Sequence, residues 1–488
     1  MNRQIRQLGI FLVMCYLALF VKLNQVQFFG AEELNDHPLN ATKVTQAFNR
    51  PRGSIVTADG VLLAESVPTA EDSQFDRQRV YPQGDLYGQV TGFFSFKYGA
   101  SGVERSYNAE LTGQTFQQQI DGLRDLLVDR DNVGDVRLSI RDDLQRLARD
   151  QLGQREGAVV TLDPRTGELL AFWSYPSFDP NLLSVENEEV VTATWDVLNA
   201  APGAPLRAHQ YQDRYFPGST FKVVTAGAGL RTGTVSNTEP VYPPSSGYVA
   251  PQTNIPIRNF DGGACGGALP VILAQSCNTA FAEMGTETIG GPGMLDGAQA
   301  FGFNTDVPID LPAPAQSAFP TDVASNPPKL AQASIGQNDV QATPLQMALV
   351  AAAVANGGKL MTPHVMREVR DRQGAVVTSY EPSTWLEPLD PTQAATLRED
   401  MIGVVTNGSG TAAQVPGFEI GGKTGTAQLG DGQRVHTWFI AFGGQPGQVP
   451  SVAVAVVVLN QPLSGTGGGT AAPIAQAMLS AALTNPAP

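Results

Sequence analysis

The chain has 488 residues, 42% of them apolar, with 51 Gly and 35 Pro, a composition of folded cores and many turns that excludes a mini-scaffold or a disordered chain. Lys and Arg number 31 against 46 Asp and Glu, and the net charge of −15 excludes a nucleic-acid binder that relies on a broad basic surface. Three cysteines, Cys15, Cys265 and Cys277, cannot build a disulfide framework, and His37, His209, His364 and His436 are too scattered for a metal cluster, so no metal is expected.

Leu8 to Val21 is an apolar run without a charge, preceded by Arg3 and Arg6. Alone it spans about 21 Å, short for a hydrocarbon layer of ~30 Å, whereas extension to Phe29 reaches about 33 Å, with Lys22 able to snorkel. No small-residue cleavage site follows Val21, so residues 8–29 are read as an uncleaved membrane anchor rather than a signal peptide. The arginines ahead of it keep residues 1–7 cytoplasmic and place the rest outside the cell membrane.

Residues 30–155 are richer in charge and Gln, with short strand-like pieces and a helix near Asp143–Leu152, where Leu144, Leu147, Ala148 and Leu152 recur at helical spacing. They are expected to form an accessory domain. From residue 156 the pattern changes to a hairpin, Ala158 to Leu162 and Leu169 to Trp173, around an Asp-Pro-Arg-Thr-Gly turn. Helices are expected from Ser219 to Leu230, ahead of Gly233, and from Pro344 to Asn356, ahead of Gly357 and Gly358. Strands follow from Glu419 to Lys423, from His436 to Phe442 and from Val452 to Leu459, then a closing helix from Ala472 to Leu483. Strands at both ends of residues 156–488 with helices between them predict an α+β domain, an antiparallel sheet flanked by helices whose terminal segments meet in space. Trp173, Trp438 and Phe442 are read as core, and His436 as packing or a local hydrogen bond.

Chemistry enters at Ser219-Thr-Phe-Lys222. A helix starting at Ser219 places Lys222 on the same face, so an amine can reach the serine oxygen and act as its base. Burial would lower the Lys222 pKa toward a proton-accepting amine. Ser276-Cys277-Asn278 offers a hydroxyl to relay a proton and an amide to bind a carbonyl, and Lys423-Thr424-Gly425-Thr426 brings an ammonium, two hydroxyls and a residue without a side chain from an edge strand. Only the bridge Cys265–Cys277 is open to this chain, and since the sequence fixes no Cα separation, two unpaired thiols is the simpler reading.

The order Ser-x-x-Lys, Ser-x-Asn, Lys-Thr-Gly in one domain resembles the penicillin-binding and serine β-lactamase superfamily. Arg52-Gly-Ser-Ile55 and Gly102-Val-Glu104 are similar to the opening motifs of the elongated, mainly β pedestal (dimerisation-type) domain of class B penicillin-binding proteins, and the chain looks most like the actinobacterial A group of that family. Thr57-Ala58 and Asn338 depart from the common pattern, the latter replacing a glycine. The resemblance implies a peptidoglycan D,D-transpeptidase, inhibited by β-lactam antibiotics, that cross-links stem peptides through an acyl-serine intermediate and needs no cofactor. In that reading Ser219 is the nucleophile, Lys222 its base, Ser276 a proton relay, Asn278 a ligand of the peptide amide and Lys423 an electrostatic support. The Thr424 and Thr426 hydroxyls bind the terminal carboxylate, Gly425 between them lets the substrate approach closely, and the N–H groups of Ser219 and Thr426 form the oxyanion hole. Glu104 is expected to anchor the pedestal to the catalytic domain. A membrane glycan polymerase of the shape, elongation, division and sporulation (SEDS) family is the implied partner. The rival readings are a β-lactamase-like hydrolase, disfavoured because no Glu occurs between Glu287 and Glu368 to deacylate it, and a membrane-tethered scaffold or β-lactam sensor.

Overall fold

Helix α1 (Asn2–Asn24) opens the chain and turns Phe11, Tyr16 and Leu19 outward. Among the described residues no helix is long and apolar enough to cross a membrane. The computed structural model describes residues 2–24, 48–115, 133–430 and 434–485. Residues 25–29 of the expected anchor, residues 30–47 of the accessory region and His37 therefore lie outside the described residues. Contacts divide the chain into two units, residues 1–51 with 67–78 and residues 52–66 with 79–488.

In the second unit β1 (Ile55–Val56) pairs antiparallel with β2 (Leu62–Pro68) and parallel with β3 (Asp135–Leu138). The Arg-Gly-Ser-Ile motif explains the junction. A Cβ on Gly53 would collide with the Gly134 carbonyl, Ser54 N–H donates to Asp135 Oδ1 at 2.6 Å, and Ile55 is fully buried. Arg52 and Arg79 each donate through Nε to Glu104 at 2.6 Å, and Tyr81 adds its hydroxyl at 3.2 Å. Burial pushes the Glu104 pKa up, but the two guanidiniums outweigh it and hold the carboxylate below its ordinary value. These partners all precede residue 156, which corrects the expected role of Glu104. The Tyr107 hydroxyl instead reaches forward, donating to Asp310 Oδ2 at 2.5 Å, and the same carboxylate accepts the Val365 and Met366 N–H groups.

Helix α2 (Asp142–Leu152) buries Leu144, Ala148 and Leu152 of the four residues its spacing picks out, with Leu147 half-buried against the same core. The hairpin of β4 (Gly157–Leu162) and β5 (Leu169–Tyr175) follows, its turn closed by Gly167 N–H to the Asp163 carbonyl at 2.9 Å. Of the helices that follow, α3 (Lys222–Thr232), ended by Gly233 at φ 71°, α4 (Leu269–Gln275) and α5 (Asn278–Glu283) carry the site. Helix α6 (Pro344–Ala355) is buried along its whole length and capped by the Thr343 hydroxyl, which accepts Gln346 N–H at 3.0 Å. Strands β6 (Met366–Arg370) and β7 (Val376–Ser379) return to β3, giving the order β7-β6-β3-β1-β2 in a six-stranded sheet whose last strand is Arg77–Val80. Helix α7 (Pro391–Asn407) starts on a reciprocal Asp390–Gln393 cap.

The last elements are β8 (Glu419–Gln428), β9 (Arg434–Gly444), β10 (Val452–Pro462) and α8 (Ala472–Thr484). They complete a five-stranded antiparallel sheet in the order β8-β9-β10-β4-β5, so segments three hundred residues apart in sequence pair at its centre, Val457 opposite Ala158. The expected α+β architecture is present. Helices α6 and α8 both pack on this sheet, and Trp173, Trp438 and Phe442 are buried in it. Among the described residues β8 has no strand paired on one side, which leaves that edge to face the site.

Candidate active site

Residues 218–221 form a 3-10 turn rather than the first turn of an α-helix, and Lys222 begins α3. The turn is set by its neighbours. Tyr215 exchanges backbone hydrogen bonds with Ala342, Gly218 N–H donates to the Gly336 carbonyl at 2.9 Å, and Trp438 Nε1 donates to the Phe216 carbonyl at 2.9 Å. A Cβ on Gly425 would lie 2.8 Å from the Pro217 carbonyl and 2.9 Å from Thr220 Cγ2. The edge strand therefore lies directly on the turn that carries Ser219, a contact only glycine allows.

Ser219, Ser276, Asn278, Thr424 and Thr426 line one cleft of about 960 Å³. Lys222 and Lys423 lie beneath it, fully buried, and meet at Ser276. Lys222 Nζ donates to the Ser276 carbonyl at 2.7 Å, to Ser276 Oγ at 3.2 Å and to Asn278 Oδ1 at 2.7 Å. Lys423 Nζ donates to the same Ser276 Oγ at 2.9 Å and to the Thr424 carbonyl at 3.0 Å. The Lys222 hydrogen bonds thus run to the second motif and not to Ser219. The tighter 3-10 turn and two strong acceptors across the floor account for this difference from the expected direct contact.

Electrostatics follows from this packing. Burial first, and the adjacent Lys423 second, hold the Lys222 pKa well below that of an ordinary lysine, and burial lowers Lys423 to about 7. Both amines are thus held toward the neutral, proton-accepting form, and Lys423 titrates near neutral pH.

Ser276 itself sits at φ 59°, a left-handed conformation that costs a serine strain and is held where α4 ends and α5 begins. Cys277, between the two motif residues, is bridged to Cys265 with Cα atoms 5.9 Å apart, so the reading of two unpaired thiols is corrected. Asn278 Nδ2 donates to the Arg258 carbonyl at 2.9 Å, which leaves its second N–H free. Asn259, absent from the sequence reading, fastens this wall: its Oδ1 accepts Thr279 N–H at 3.1 Å and its Nδ2 donates to the Ser245 and Gly263 carbonyls. Ser409 was also missed. Its hydroxyl is 2.7 Å from Thr424 Oγ1, and a Ser-Gly-Thr stretch in a loop carries no signal of such a role. Asn338 adopts φ 62°, which explains why glycine suits that position and why asparagine can replace it. His436 accepts Asn460 N–H through Nδ1 at 3.3 Å, and burial first, then Arg434, lowers its pKa to about 4, so it is neutral at pH 7 and serves the local contact expected of it.

The sequence pattern described as the penicillin binding protein transpeptidase domain matches residues 157–480, two thirds of the chain. The chain belongs to the penicillin-binding protein transpeptidase family. A second pattern, described as the penicillin binding protein A dimerisation domain, matches residues 52–136. The peptidoglycan D,D-transpeptidase PbpA of Mycolicibacterium smegmatis is 38% identical over 502 residues, covering 99% of both chains. Among solved family structures, the ceftriaxone acyl-enzyme complex of penicillin-binding protein A from M. tuberculosis superposes with a TM-score of 0.82 at 36% identity, over 90% of this chain and 100% of that one. The penicillin G acyl-enzyme complex of the same protein gives 0.80 at 37% identity, over 89% and 99%.

Proposed function

We propose that this penicillin-binding protein is a peptidoglycan D,D-transpeptidase that cross-links stem peptides through an ester on Ser219. The observation that carries the reading is the meeting of both buried amines at Ser276, with Ser219 and the 424–426 strand edge in the same cleft. Ser219 Oγ attacks the carbonyl of the penultimate D-alanine and its proton passes to Lys222 Nζ. The carbon–nitrogen bond to the terminal D-alanine breaks, and Ser276 hands a proton to the departing amine from the two-lysine network. An amine of a neighbouring stem then attacks the ester and restores Ser219. Backbone N–H groups of Ser219 and Thr426 bind the oxyanion, and loss of one such donor typically costs about 10²–10³ in rate. The free N–H of Asn278 binds the peptide carbonyl, and Thr424, Gly425 and Thr426 receive the terminal carboxylate. β-Lactams acylate Ser219 as mimics of the same dipeptide.

The same reading divides the chain into a cytoplasmic tail at 1–7, an anchor at 8–29, a pedestal at 30–155 and the transpeptidase domain at 156–488, outside the cell membrane. The outward apolar residues of α1 and the dimerisation-domain match at 52–136 support this division. The class B resemblance supports a SEDS-family polymerase as membrane partner. The test supplies a donor stem ending in D-alanyl-D-alanine and an acceptor stem amine. Cross-linked dimer is expected as the main product, with a β-lactam adduct surviving for hours. Release of the carboxylic acid in place of dimer, with adduct turnover in seconds, would make the protein a hydrolase.

A further inference from the structure

Thr424 has one hydroxyl proton, and the reading above, on which this inference rests, requires it to point at a substrate carboxylate. Two neighbours compete for that hydroxyl. Lys423 Nζ lies 3.4 Å from Thr424 Oγ1, a long and weak contact that fixes no orientation. Ser409 Oγ lies 2.7 Å from it, at the ordinary distance of a good hydroxyl pair. Either oxygen can be the donor when the cleft is empty. A carboxylate accepts only, so with one bound the Thr424 proton is drawn to it and Ser409 must donate into Thr424.

Ser409 is held for this task from two sides. Its N–H donates to the Ala274 carbonyl at 3.2 Å, two residues before Ser276 on the helix that delivers the second motif. A Cβ on the preceding Gly408 would lie 2.6 Å from that same carbonyl, so the backbone passes as close as glycine permits. On its other side the Ser409 carbonyl abuts Gly468, whose added Cβ would come within 2.7 Å of it, and Gly468 also lines the cleft. The hydroxyl is thus placed by the second-motif helix and delivered to the third motif.

We propose that Ser409 is a positioning residue for carboxylate recognition: by donating to Thr424 Oγ1 it turns the Thr424 hydroxyl proton toward the carboxylate of stem peptides and β-lactams. It acts through Thr424 and does not touch the reacting carbonyl. Its removal leaves Thr424 free to orient either way, and the loss falls on ligands that carry the negative charge.

The test measures the second-order acylation rate constant for a penicillin and for its methyl ester, with wild type, Ser409→Ala and Ser409→Thr. For Ser409→Ala the ratio of acid to ester rate constants is expected to fall about 3- to 10-fold, the range of one neutral hydrogen bond, mainly through weaker initial binding rather than slower chemistry. Ser409→Thr, which returns a hydroxyl to the same backbone position, is expected to restore the ratio. An unchanged ratio overturns the proposal, including the case where both rates fall together, because general disturbance of the cleft has no preference for charge. Should Ser409→Ala fail to fold, Ser409→Cys replaces the hydroxyl by a weak donor and must show the same fall. A wild-type chain that neither compound acylates would instead remove the reading of the cleft itself, so the two failures are distinct.

Discussion

Two amines converging on one serine hydroxyl define the chemistry of the site at the residue scale. Neither can be an ordinary lysine: burial lowers both, and Lys222 also feels Lys423. A base must be unprotonated, so acylation by a penicillin should rise with pH through the titration of Lys222. Lys423 supports the proton network electrostatically only while protonated, so the same rate constant should decline as pH passes about 7. The expected profile is a bell, read by stopped-flow acylation across pH. Replacement of Lys423 by Met removes a positive neighbour, which raises the Lys222 pKa. The acid limb should then move to higher pH and the limb near neutrality should vanish; an acid limb moving to lower pH would show that Lys222 is not the base.

At the scale of elements, the site depends on the edge strand β8 resting on the 217–220 turn. Gly425 makes this approach, with the Pro217 carbonyl, Thr220 Cγ2 and Trp438 Cβ all within 3.0 Å of where a Cβ would stand. Gly425→Ala must push the strand off the turn, since the Pro217 and Trp438 contacts are backbone or rooted in it. A displacement of about 1 Å at a reacting centre costs on the order of 10²-fold, and that fall in acylation is expected with the protein still folded, as judged by its circular dichroism and melting temperature. Acylation at the wild-type rate would mean that β8 is free to slide.

Much of this element-level picture was legible beforehand. The β-branched run from Val452 and the Thr343-Pro344 start carry their structure in local chemistry, and each catalytic motif is contiguous, so its residue types declare themselves. What was not legible depends on distance through space. Whether Cys265 faces Cys277, whether Lys222 turns to Ser219 or to Ser276, and whether a loop serine such as Ser409 meets Thr424 are settled by packing between segments with no shared local signal. Glu104 shows the same limit, since its partners Arg52 and Arg79 lie 52 and 25 residues away.

At the scale of the whole molecule, the large sheet is closed by strands from both ends of the matched transpeptidase region, β10 pairing with β4. The smaller sheet likewise draws β1, β2 and β3 together with β6 and β7 from far along the chain. Neither the Ser219 turn nor the 423–426 edge can form its half of the cleft from local sequence, so acylation reports on the entire arrangement at once. The most direct measurement is therefore incubation with a fluorescent penicillin, followed by proteolysis and mass spectrometry of the labelled peptide. The account predicts a single adduct on Ser219, abolished in Ser219→Ala; a label at any other residue, or labelling unaffected by that substitution, would contradict it.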